Sequence, residues 1–231
     1  MTTANLFIAF TAGVALGVVI SIARYFPARI KIPALCAFAI WLAYVFALSN
    51  SGVLADPTRR PPGIIFFVAP AFVTIAFVTL SKWGRNVAVS IPIALLIGAQ
   101  SFRIIVELFL HQLWLEGSLP KMMTYSGVNF DIAIGITALV LGGLVARRNV
   151  SQWTLKAWNL IGIAMVLNVA IRGVLSVRGP LQLITNDIPN AAVVTFPYTF
   201  IPTLMVPLAL LLHVLALRNV GATAGKSVST S

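Results

Sequence analysis

The chain is a succession of continuous apolar runs, each near the length of a helix that crosses a bilayer, separated by short segments rich in Gly, Pro, Asn and Arg. The pattern predicts seven transmembrane helices, over about residues 4–24, 32–49, 63–81, 88–115, 130–146, 153–176 and 197–217. Closed β-barrels show short alternating segments instead, so the expected fold class is all-α, a polytopic helical bundle. Pro33 falls in a first turn, where no donor is needed, and Pro70 predicts a kink in the third span. Pro197, Pro202 and Pro207 recur at five-residue spacing and predict a bent last span with some unpaired carbonyls. Residues 1–218 are expected to form one transmembrane domain, followed by a disordered cytoplasmic tail over 219–231. The spans show no internal repeat, which does not support an inverted-repeat transporter.

One run breaks the apolar pattern. QSFRIIVELFLHQLWLE, residues 100–116, carries Gln, Arg, Glu and His inside the expected fourth span. At about 100° per residue, Gln100, Arg103, Glu107, His111 and Trp114 fall on one narrow stripe. Ionisable side chains at membrane depth are costly and face the bundle interior or a water-filled cavity. The expected depths bring Asp131 at the outer end of the fifth span, and Asn168 and Arg172 on the sixth, toward the same outer half.

Composition removes the soluble classes. The chain is 59% hydrophobic and 9% charged, where a soluble domain carries roughly a quarter charged residues. A net charge of +11 does not indicate a nucleic-acid partner, because Lys and Arg stand singly or in pairs at span ends, where they set orientation. Arg24, Arg29, Lys31, Lys82, Arg85, Arg147, Arg148, Lys156, Arg218 and Lys226 sort to one side, and only Arg59, Arg60, Lys121 and Arg178 to the other. The positive-inside rule makes the first side cytoplasmic, with the N-terminus outside and the C-terminus inside.

Candidate chemistry is sparse. The single Cys36 lies within a span and reads as a small packing residue, so no disulfide framework or cysteine metal site is expected. His111 and His213 are expected to differ in depth by about 20 Å, which excludes a shared metal or haem and leaves His213 as an interfacial or packing residue. No metal or cofactor is expected. The last span has no Schiff-base lysine, so a retinal protein is excluded. There is no Gly-x-Ser-x-Gly, no paired-glutamate protease signature and no nucleotide-binding glycine loop.

Two readings of the polar stripe remain. In the first, Gln100, Arg103, Glu107, His111, Asp131, Asn168 and Arg172 line an outward-facing pocket for a small anionic or zwitterionic solute or a lipid headgroup, because two arginines exceed the charge of Glu107. The segments 116–129 and 177–196 would form its rim, with Trp114 and Tyr198 near the interface. In the second, Glu107 pairs with Arg103 or Arg172 in a closed, salt-bridged core, and the protein is a structural or regulatory subunit of a membrane complex. The expected partners are thus the lipid bilayer and either an anionic ligand or another membrane protein.

The segments FRIIVELFLHQLWLEG, SGVNFDIAIGITA, AWNLIGIAMVLNVAI and FPYTFIPTLMVPLALLLHVLALR resemble a family of small, uncharacterised bacterial inner-membrane proteins. The resemblance covers about residues 88–218. It implies a multi-pass location in the bacterial cytoplasmic membrane and a helical fold, and it implies no activity, substrate or cofactor.

Overall fold

Thr2 starts the first helix by accepting the N–H of Asn5 on its side chain, and the apolar residues beyond it run as α1 (Thr3–Tyr25). The structure is a computed structural model that describes residues 1–228, with side chains through Ala222. After α1 come α2 (Ala28–Asn50), α3 (Ile65–Leu80) and the short α4 (Lys82–Ser90). The next span is composite: α5 (Ile93–Gly98), a 3₁₀ turn over Ala99–Ser101 and α6 (Phe102–Leu115). It is followed by α7 (Asp131–Arg147), α8 (Gln152–Ser176), a π turn over Ile201–Met205, and α9 (Val206–Val228). No strand occurs among the described residues. Five helices are long and apolar enough to cross a membrane, or six when the bent α3–α4 pair is taken as one.

The expected start of the fourth span needs correction. α4 turns away from α3 by 81°, so residues 88–90 belong to this short helix and not to the start of the next span. Ser81 sets the corner by accepting the N–H of Gly84, and α4 buries Val87 and Ala88 while Lys82 and Arg85 stay exposed. Pro92 precedes α5 and is not inside it. A proline beyond the first turn would lack the N–H its helix needs.

α9 lies centrally and packs against α3, α4, α5 and α8. The largest apolar cluster joins Phe7, Leu110 and Leu113 to Leu119, Met123, Val177, Ala192 and Val193 from the two long connecting segments. Those segments therefore fold down over one end of the bundle, which we call the capped end. The Ala192 N–H donates to Ser118 O at 3.0 Å and ties them together. Thr3 donates to Glu116, and Ser49 donates to Thr199, at the same end. At the opposite end Phe26 meets Trp83, and Arg218 donates to Thr79 O at 2.6 Å and to Val78 O.

The prolines free backbone carbonyls, and α2 supplies donors for two of them. Pro70 leaves Phe66 O without its helical donor, and the Tyr44 hydroxyl takes its place at 2.9 Å. Pro207 does the same to Thr203 O, which receives the Trp41 indole N–H at 2.9 Å. Cys36, on the same helix, is exposed and does not pack in the core. The boundary expected at 218 falls inside α9, where Asn219 donates to Ala88 O and Ile91 O. Residues 229–231 of the expected tail lie outside the described residues.

Candidate functional site

The polar stripe begins from a close helix–helix contact. A Cβ at Gly142 of α7 would sit 2.9 Å from the Gly98 Cα of α5, so the two helices pack backbone to backbone. This approach carries the first residue of α7, Asp131, up to Arg103 on α6. Arg103 Nε donates to Asp131 Oδ2 at 3.2 Å, and its terminal nitrogen forms an ion pair with Oδ1. It is the single ion pair among the described residues.

The expected pairing of Glu107 with Arg103 or Arg172 is corrected here. Glu107 Oε1 accepts instead from Asn129 Nδ2, in the segment before α7. Asn129 also donates to Met123 O at 3.0 Å and accepts the N–H of Asp131 at 3.0 Å, so every polar group of its amide is used. Helical spacing made Arg103 available to Glu107 at i, i+4, but the glycine contact placed Asp131 nearer.

His213 of α9 continues the seam. Its Nε2 lies 3.1 Å from an Arg103 guanidinium nitrogen, and its Nδ1 lies 2.9 Å from Asn159 Oδ1 on α8. A guanidinium can only donate, so Nε2 is the acceptor and the neutral ring carries its proton on Nδ1. That proton points to Asn159 Oδ1, whose amide nitrogen in turn donates to Leu155 O at 2.8 Å. His213 is therefore not interfacial: it is fully buried in a continuous path Glu107–Asn129–Asp131–Arg103–His213–Asn159 across α6, the segment before α7, α7, α9 and α8. Gln100, equally buried, binds the α9 backbone separately at Ala209 O, 3.0 Å.

The remaining candidates do not join this seam. His111 stacks on Tyr125 with 4.6 Å between centroids, meets Trp114 edge-on and lies 3.2 Å from Ser126 Oγ, in an aromatic group at the capped end. Arg172 donates to Asn168 at 2.8 Å, and Asn168 donates to Val128 O, both half-buried on α8. Asn129, Asn159 and His213 are the participants that sequence reasoning missed. A span boundary beyond 217 would have placed His213 near the middle of its helix and at the depth of Arg103. Among the described residues no three His, Cys, Asp or Glu side chains gather to hold a metal ion.

The cavity lies elsewhere. A recess of about 300 Å³ opens between α3 and α8, floored by Pro202, Val206, Pro207 and Leu210. Ala71 and Phe72 line one wall, Ala170 and Val174 the other, with Met123 and Val193 from the capping segments. No charged side chain lines it. Its origin is local: the π turn and the two prolines disturb the start of the last span, and the short side chains of Ala71, Ala170 and Gly173 leave the space between the walls unfilled.

A smaller recess adjoins it at the capped end, sharing Ile64 and Val174 and lined also by Asp56, Pro62 and Arg178. Asp56 accepts from Thr58 Oγ1 at 2.7 Å and Thr58 N at 2.9 Å. Those bonds, the hydroxyl first, hold its carboxyl below the usual range and keep it ionised.

A family model described as Domain of unknown function (DUF8737) matches residues 62–220. The chain belongs to the DUF8737 family. The match takes in α3 through most of α9, hence the whole polar seam and every residue lining the groove, and leaves α1 and α2 outside. In this DUF8737 protein the two helices outside the match still serve the matched part, through Phe7 in the main core and the Trp41 and Tyr44 caps. No curated protein and no solved structure matches the chain.

Proposed function

We propose that this is a seven-span membrane protein, N-terminus outside, that holds the apolar chain of a lipid in the groove between α3 and α8. The groove is the observation that carries the reading. Its volume of about 300 Å³ is at the lower end of ligand pockets, and a lining of Ala, Val, Ile, Phe and Pro offers water no hydrogen bonds. A small ionic solute would lose its hydration there without replacement. The lipid part of the sequence expectation is kept, but its place moves from the polar stripe to the groove.

The topology is supported by the contacts that gather Thr3, Ser49, Ser118 and Ala192 at one end and Phe26, Trp83 and Arg218 at the other. A bacterial inner membrane is the proposed location. Accessibility of reporter fusions at residues 55, 84, 120 and 150 should alternate, and an outward C-terminus would overturn the arrangement.

For the groove, the measurement is native mass spectrometry of the full chain in nonionic detergent with added phospholipid. Ala170→Phe and Ala71→Ile, on opposite walls, should each lower the retained lipid. Retention at the wild-type level by both would refute the reading.

A second reading, a structural or regulatory subunit, is favoured by the closed seam and by α2, of which only Val45 is buried. It predicts a co-purifying membrane protein that Ile40→Ala/Phe46→Ala releases. Unchanged co-purification would remove α2 from any such interface.

A further inference from the structure

We propose that the lipid is an acidic glycerophospholipid whose headgroup sits at the capped-end mouth of the groove, held by Arg178 with Arg59 and Arg60 beside it. This rests on the groove reading above and adds the chemical class of its occupant.

The mouth is assembled from two segments far apart in the chain. The segment before α3 and the one after α8 meet where a Cβ on Gly179 would lie 3.5 Å from Pro57 O. Gly179 has φ +141°, a conformation that favours glycine. The turn is closed by Gln182 N donating to Gly179 O at 3.0 Å. It places Arg178 in the recess that adjoins the groove through Ile64 and Val174. Arg59 lies over the Phe66 ring at 5.8 Å, beside the first turn of α3. Arg60 comes two residues before Pro62, which lines the same recess.

Arg59, Arg60 and Arg178 are all exposed, and among the described residues none has a carboxylate within ion-pair distance. The one acid lining the recess is Asp56, already engaged by Thr58. Arg178 therefore lines the recess against a single acid, and the segment that borders it carries two more positive charges, Arg59 and Arg60.

The sequence makes this gathering informative. Basic residues are scarce on this side, only Arg59, Arg60, Lys121 and Arg178; Arg178 lines the recess, and Arg59 and Arg60 lie in the segment that borders it. A guanidinium matches a phosphate by paired N–H donors. A free phosphate would use the arginines but leave the groove empty. A diacyl lipid uses both, with an acyl chain along Val174, Ala71 and Pro207 and its phosphate at Arg178.

The test compares retention of dioleoyl-phosphatidylglycerol and dioleoyl-phosphatidylcholine, added in turn to the full chain in nonionic detergent and counted by native mass spectrometry. Wild type should retain the glycerol lipid about fivefold better, the factor expected from one basic residue near a headgroup. Arg178→Gln, an exposed substitution that leaves the fold intact, should lower that preference at least twofold. Ala170→Phe and Ala71→Ile should lower both together. Equal retention of the two lipids by wild type, or an unchanged preference in Arg178→Gln, would overturn the headgroup assignment while the groove stands. No lipid retained by wild type, or full retention by both wall variants, would sink the groove reading itself. Inorganic phosphate that displaces the lipid from wild type at an equal concentration would also overturn the proposal, since the apolar chain would then contribute nothing to binding.

Discussion

The polar seam and the apolar groove share α9, with His213 in one and Leu210 and Pro207, roughly one and two turns nearer the helix start, in the other. The seam has charge and no room. Arg103, Glu107, Asn129, Asn159 and His213 are each at most 2% exposed, and each bonds to another member of the seam. The groove has room and no charge. In this bundle the ionisable residues that look like a ligand site act as one another's ligands. Space appears where prolines disturb the last span and short side chains leave the gap beside it unfilled.

The sharpest way to break that contrast is to remove one member of the buried ion pair. Asp131→Ala leaves the Arg103 guanidinium uncompensated and should destabilise the protein by about 3–5 kcal/mol. Thermal unfolding in detergent reads the change, and the lipid retained below the transition should stay at the wild-type level. A small shift would mean that Arg103 finds water or another acceptor, and the seam would then be an access route.

The next effect comes from crowding. A Cβ at Gly162 of α8 would run into the His213 ring, so Gly162→Ala should cost about 1–3 kcal/mol by overpacking. The double variant with His213→Ala should cost less than the sum of the two single changes, because the ring that the added methyl group strikes is gone. Simple additivity would place the strain elsewhere. The smallest stability change should come from the groove, where Ala170→Phe fills existing space and should shift stability by no more than about 0.5 kcal/mol. Its effect should appear in lipid retention instead. If Ala170→Phe destabilised as much as Asp131→Ala, the groove would be a packed interface and the contrast would fail.

Much of the architecture was legible in one dimension. Continuous apolar runs dictate helices, because a backbone in a bilayer must satisfy its own hydrogen bonds. The stripe on α6 followed from helical spacing, and Gln100, Arg103 and Glu107 are all buried as that spacing implied. The three prolines announced the disturbed last span, which contains the π turn.

Partner choice was decided only in three dimensions. Helical periodicity gives the direction of a side chain and an approximate depth, but not which neighbour stands opposite. Arg103 chose Asp131 over Glu107 because Gly98 and Gly142 let α5 and α7 touch. His213 entered the seam because α9 runs beyond the expected boundary at 217 and carries the ring to the depth of Arg103. The prolines marked a bend but not a groove, since a lipid-facing valine and a groove-lining valine are the same letter. Sequence by itself determined what must be helical and what must avoid lipid, through the cost of unsatisfied polar groups. Tertiary structure decided who pairs with whom and where space remains, because both depend on contacts between helices.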